Sequence, residues 1–134
     1  MSTGSVNVID ESFKAARDLS GGKYKGVKVS ADDTVDYPSA GTDPMIGVLQ
    51  NKPAAAGRGA QVVFVGRTKA YLTGTVTAGT GVSATTSGWF VRTTSGYRQH
   101  GVCIKAANSG YPGEVFLVGV ADHMSVSSVD AGQI

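Results

Sequence analysis

The sequence predicts an all-β domain, a small barrel or β-tulip-like body of about seven to eight short strands. Three observations lead there. Glycine supplies 19 of 134 residues, which suits tight turns and penalises helix interiors. Only 16% of residues are charged, while Thr, Ser, Val and Ala supply most of the remainder. The β-branched residues among these favour extended backbone. Apolar residues come in short runs, each closed by Gly, Pro, Ser or Thr.

Residues 1–22 read as an N-terminal arm. Asn7 is placed to cap a short helix running to Leu19, with Asp10 and Glu11 in its first turn and Gly21–Gly22 ending it. On that helix Ile9, Phe13 and Ala16 share a face, and Asp10 and Lys14 form an i,i+4 pair. So short a helix is marginal alone, so Ile9, Phe13 and Leu19 are expected to anchor it to a domain or a neighbour.

From Lys23 the pattern turns extended. Lys23–Ser30 alternates polar and apolar residues, Ala31–Pro44 is a polar, turn-rich loop, and Met45–Leu49 is a short apolar strand. Pro53 and Gly57 keep Gln50–Ala60 irregular. Gln61–Val65 is apolar on both faces and belongs in a core. Lys69–Leu72, Val82–Ala84, Trp89–Arg92, Gly101–Lys105 and Glu114–Val118 complete the set. Residues 120–134 form a C-terminal tail, leaving 23–119 as the barrel domain. A Ser-Gly-aromatic step recurs at Ser87–Trp89, Ser95–Tyr97 and Ser109–Tyr111, where the turn sets an aromatic anchor.

Charge is unevenly distributed. Between Pro44 and Gly113 there is no carboxylate, and Lys52, Arg58, Arg67, Lys69, Arg92, Arg98 and Lys105 stand alone; the net charge of +2 leaves −5 for the flanks. Such a chain suits an anionic polymer, or an arrangement in which the acidic end of one subunit meets the basic body of another. No apolar run reaches membrane-spanning length, and the opening MSTGSVNVIDES lacks the basic and apolar regions of a signal peptide. The lone cysteine, Cys103 between Val102 and Ile104, reads as a small core residue in a chain made in a reducing cytoplasm.

Motifs for chemistry are missing: there is no Gly-x-Ser-x-Gly elbow, no phosphate loop, no His-Glu-x-x-His and no dinucleotide glycine pattern. His100 and His123 lack neighbours at ligand spacing. Asp32, Asp33, Asp36 and Asp43 span the twelve positions of a calcium loop, but Tyr37 occupies the glycine position and Asp43 the bidentate glutamate position. The expectation is a protein that is not an enzyme and needs no metal or cofactor. A small hydrolase would require a pocket holding His100 or His123 beside Ser or Asp. An OB-like barrel binding single-stranded nucleic acid or an oligosaccharide is the alternative, drawing on Phe64, Tyr71, Trp89, Phe90 and Tyr97 among the cations. Its seven positive charges are thinly spread, so nucleic acid is not the favoured partner.

The segment Met45-Ile-Gly-Val-Leu-Gln-Asn-Lys-Pro-Ala-Ala-Ala-Gly57 resembles the "I-G-V-L-Q-N-x-P-A-A-G" stretch of small capsid cement, or head decoration, proteins of tailed phages. Tyr24–Val29, Gln61–Lys69 (strand, glycine, basic turn), Gly74–Gly79, Gly101–Ala106 and Gly113–Leu117 are similar to the same family in order, so the resemblance covers about residues 23–119. The arm, the tail and Tyr97–His100 depart from the pattern. The resemblance implies a compact barrel or β-tulip on the outer surface of a virion's capsid, made in the host cytoplasm. It further implies a site at contacts between major capsid protein subunits, with the chain itself a homotrimer. On that reading Ile9, Phe13 and Leu19 clamp a neighbour, Trp89, Tyr97 and Tyr111 are core or interface aromatics, and Arg58, Arg67 and Lys69 make salt bridges between subunits.

Overall fold

The computed structural model describes residues 9–107 and 111–118. Asn7, His123, Ser109–Gly110 and the tail 120–134 lie outside the described residues. Among those described, nine strands form one continuous sheet, and there is no α-helix. In chain order they are β1 (Ile9–Ala15), β2 (Gly26–Ala31), β3 (Thr34–Asp36), β4 (Met45–Leu49), β5 (Gly59–Tyr71), β6 (Gly81–Ala84), β7 (Phe90–Arg92), β8 (Gly101–Lys105) and β9 (Pro112–Val118). A 3-10 turn, Thr86–Gly88, precedes β7.

The sheet runs β1-β3-β2-β4-β5-β9-β8-β6-β7, and β1 also pairs with β5. That second pairing closes the first five strands of the series into a barrel. The long strand β5 then leaves the barrel. Beyond Val65 it pairs with β9 from Val65↔Val118 to Tyr71↔Pro112, and β8, β6 and β7 follow. A parallel bridge, Leu72↔Phe90, brings β7 back to the end of β5. One strand thus serves two rings, each with its own apolar centre. Ala15, Leu19, Val27, Val35, Leu49, Ala60 and Val62 fill the first. Phe90, Leu72, Val82, Cys103, Val115 and Leu117 lead the second. Val62 faces the first centre and Val63 the second, so Gln61–Val65 is buried on both faces as its composition requires.

The short helix expected in the arm is not formed; its residues from Ile9 to Ala15 are β1. The reason lies in hydrogen bonding. As a strand, β1 pairs with β5 from Asp10↔Val63 to Lys14↔Gly59, and its end is tied to β3 by Lys14 N–H to Asp33 O at 2.7 Å. A dozen-residue helix is marginal in water, whereas these bonds come with a barrel to close. Phe13 and Ala15 satisfy a period of two as readily as Ile9 and Phe13 satisfy a helical one. Two smaller differences follow. The polar stretch 31–44 contains β3, and the basic turn expected after Gly66 is instead the straight continuation of β5, with Arg67 and Lys69 outward and Thr68 and Ala70 inward.

Candidate interaction surface

The segment that carries the family resemblance has a structural task. Gly47 in β4 lies so close to β5 that a Cβ there would stand 2.2 Å from the Val63 carbonyl oxygen. No other residue fits at that contact. Gln50 donates to Val48 O at 3.1 Å and to the Thr68 hydroxyl at 2.9 Å, joining β4 to β5. Asn51 donates to Gly59 O at 2.9 Å and accepts from Gln61 N–H at 3.0 Å, so one side chain ties both ends of the intervening loop. Buried Pro53 accepts the Leu19 N–H at 2.8 Å, fixing that loop over the first ring. The motif builds the body and leaves its outer faces to other residues.

The expected interface residues are dispersed over the body. Leu19 is fully buried at the centre of the first ring, Phe13 packs edge-on against Phe64 with centroids 5.8 Å apart, and Ile9 is 57% exposed. Arg58 is exposed in the loop before β5, while Arg67 pairs within its own chain with Glu114. Tyr97 is half-buried with its ring against Gly41, and Tyr111 is 67% exposed. Nor do the five aromatics of the nucleic-acid alternative form one stacking platform: Phe90 is buried, Phe64 faces Phe13, and only Tyr71 and Trp89 adjoin, their centroids 5.5 Å apart.

Register brings together an apolar row that spacing alone does not reveal. Ile9 lies opposite Val65, and Val65 opposite Val118, so three strands present these side chains on one face. Phe116, two positions along β9, extends the row; Phe116 is 44% and Val118 56% exposed.

A second surface lies where the two rings meet. Tyr24 adopts a left-handed backbone (φ 69°), held by its N–H to Leu49 O at 2.6 Å and by Tyr71 N–H to its own carbonyl at 3.0 Å. Trp89 arrives from the 3-10 turn, which approaches β2 so closely that a Cβ on Gly88 would lie 2.4 Å from Gly26 O. Around these rings stand lysines: Lys23 Nζ is 5.0 Å and Lys69 Nζ 5.8 Å from the Tyr24 centroid, and Lys25 Nζ is 4.8 Å from Trp89 and 5.8 Å from Tyr71. Ser20, Gly21, Lys23, Tyr24, Lys52 and Tyr71 line a cleft of about 400 Å³ between them. Lys23 and Lys25 escape a reading based on the acid-free stretch, because both precede it and their aromatic partners come from three separate strands or turns.

The remaining polar features are inward-looking. Asp36 receives Arg17 at 2.8 Å and Asp43 receives Lys28 at 3.1 Å. The Ser39 backbone N–H, with Lys28 and the Ser39 hydroxyl, pulls the Asp43 carboxyl down to about 2. The acidic stretch is spread over the β2–β3 turn, the end of β3 and the loop before β4, and no group of three or more metal-ligating side chains occurs among the described residues. His100 is completely buried, and neither ring nitrogen has a partner among the described residues. Burial, with the nearby Arg98 charge, lowers it to about 4, so it is a neutral core residue. Cys103 is likewise buried in the second centre, and burial pushes its thiol up.

The fold has a counterpart among solved structures. It is similar to the N base of head fiber gp8.5 in bacteriophage phi29, with a TM-score of 0.63. The match covers 87% of this chain and 99% of that one at 15% sequence identity. No family model matches the chain. No curated protein matches it either.

Proposed function

We propose that this protein is a structural component of a tailed-phage head. It sits on the outer surface of the capsid as a cement or decoration protein and stabilises contacts between major capsid protein subunits. The observation that carries this reading is the shared fold: the body matched over 99% of its length belongs to a head fiber of a phage. The resemblance of Met45–Gly57 to cement proteins points to the same setting independently, from sequence.

The physics asked of such a protein is modest and matches what the surface offers. A ligand that binds only the assembled shell favours that shell by mass action. Many symmetric copies multiply weak contacts into avidity. The apolar row Ile9–Val65–Val118 with Phe116 supplies the docking face, and exposed Arg58 and Lys69 supply cations for neighbouring subunits. The body does not depend on exposed Ile9 and Val118 for its core, so Ile9→Asp with Val118→Asp is expected to fold and to lose docking.

Sedimentation of phage heads stripped of the protein provides the test. The purified chain is expected to pellet with the heads and to raise the temperature at which they break, and the doubly substituted chain is expected to do neither. A chain that stays in the supernatant with intact heads would overturn the proposal.

A further inference from the structure

The lysine cleft has a feature of which the head-binding reading uses only Lys69. Lys23 and Lys52 line it, Lys25 and Lys69 stand over its Tyr71 and Tyr24 rings, and none of the four forms an ion pair among the described residues, where the carboxylate bridges are Arg17–Asp36, Lys28–Asp43 and Arg67–Glu114. Three of the four lie over aromatic rings, which hold the ammonium groups in place without neutralising them. The nearest acidic residue in sequence, Asp18, accepts the N–H of Ser20 at the cleft's rim at 2.9 Å and forms no ion pair with the four lysines. The result is a preorganised set of positive charges with room between them.

Charge of the opposite sign stands at the far end of the same barrel. Strand β2 starts beside the cleft at Gly26 and ends at Ala31, where Asp32 and Asp33 form the tip of the hairpin to β3. Six residues of strand separate the two sites by roughly 20 Å. Both carboxylates are exposed, and neither is in an ion pair among the described residues. Asp33 takes a left-handed backbone (φ 52°), which sharpens the tip.

We infer that the lysine cleft receives the Asp32–Asp33 tip of a second copy of this chain, giving a head-to-tail contact between subunits. The two carboxylates of the tip meet the unpaired ammonium groups of Lys23 and Lys52 in a cleft of about 400 Å³, with Lys25 and Lys69 over the neighbouring rings. The rings favour a carboxylate over a nucleobase, because their faces are already covered by the protein's own lysines and stacking would have to displace them. Because donor and acceptor sites lie at opposite ends, the contact is heterologous: repeated, it builds a ring or an open array. The inference does not depend on the phage-head reading.

Analytical ultracentrifugation of the full chain tests it. Association is expected at about 0.1 M salt and is expected to weaken strongly by about 1 M, as the screening length falls from roughly 10 to roughly 3 Å. Lys23→Glu with Lys52→Glu removes the cleft's charge. Asp32→Lys with Asp33→Asn removes the tip's charge while keeping a residue that tolerates the left-handed backbone. Each altered protein alone is expected to associate about tenfold or more weakly, with an unchanged circular dichroism melt. Mixed, they are expected to form a one-to-one dimer that grows no further, because one keeps its tip and the other its cleft. A chain that stays monomeric at about millimolar concentration would overturn the inference, a range in which even weak contacts of about 4 kcal/mol register. So would association indifferent to both sets of changes, or a mixture that fails to pair. If the cleft instead binds a single-stranded oligonucleotide while the chain stays monomeric, the second copy is the wrong occupant.

Discussion

His100 gives a prediction whose size and sign both come from its burial. Its imidazole is fully inside the protein, and neither nitrogen meets a partner among the described residues. Protonation must therefore place a charge in apolar surroundings, and the folded value falls to about 4 from an unfolded 6.5. The sign follows from which state binds the proton more tightly. The unfolded chain does, so the stability is whole above about pH 6.5 and is lost as pH falls from there toward 4. At about pH 4.5 the linkage relation gives a loss of about 2.5 kcal/mol. Asp43 does not contribute in this window: its folded value of about 2 lies below its ordinary 3.8, so its stabilisation is present above 3.8 and fades only at lower pH. The assay is urea unfolding from about pH 7.5 to 4.5 for the natural chain and His100→Leu. The natural chain is expected to lose about 2–3 kcal/mol and the leucine variant little, with the variant at least as stable at neutral pH because no orphaned polar group is left. Parallel losses in the two proteins would refute the reasoning.

Two further substitutions probe the two-ring body. Leu19→Ala empties the centre of the first ring and is expected to cost about 2–5 kcal/mol in urea unfolding, whereas an arm anchor with no place in the core would cost little. Gly47→Ala sets a methyl group against the Val63 carbonyl oxygen and is expected to cost about 3 kcal/mol or to prevent folding, seen as a lowered or absent thermal transition.

Much of the body was legible from residue pattern, because its elements depend on local signals. Met45–Leu49, Val82–Ala84 and Gly101–Lys105 appear close to their expected bounds, each an apolar run between turn residues. The all-β class followed from the same punctuation. What escaped was non-local. Ile9–Ala15 fits a helical and an extended period alike, and only its partners on β5 and β3 decide between them. Strand β3 is three residues in a polar stretch, stabilised by neighbours rather than by its own composition. The surfaces were hidden for the same reason. Ile9, Val65 and Val118 become one row only through register, and Lys25 meets Trp89 only because the 3-10 turn folds onto β2. The aromatics singled out by the Ser-Gly steps lie apart: Trp89 joins the lysine cluster, Tyr97 packs on Gly41 and Tyr111 is exposed.

Electron microscopy of purified phage heads carrying the protein tests the central claim most directly. Additional density is expected on the outside of the shell, fitted by the two-ring body, with the Ile9–Val65–Val118 row turned toward the major capsid protein. Heads whose outer surface is bare while the chain is present in the preparation, or density confined to the interior, would contradict it.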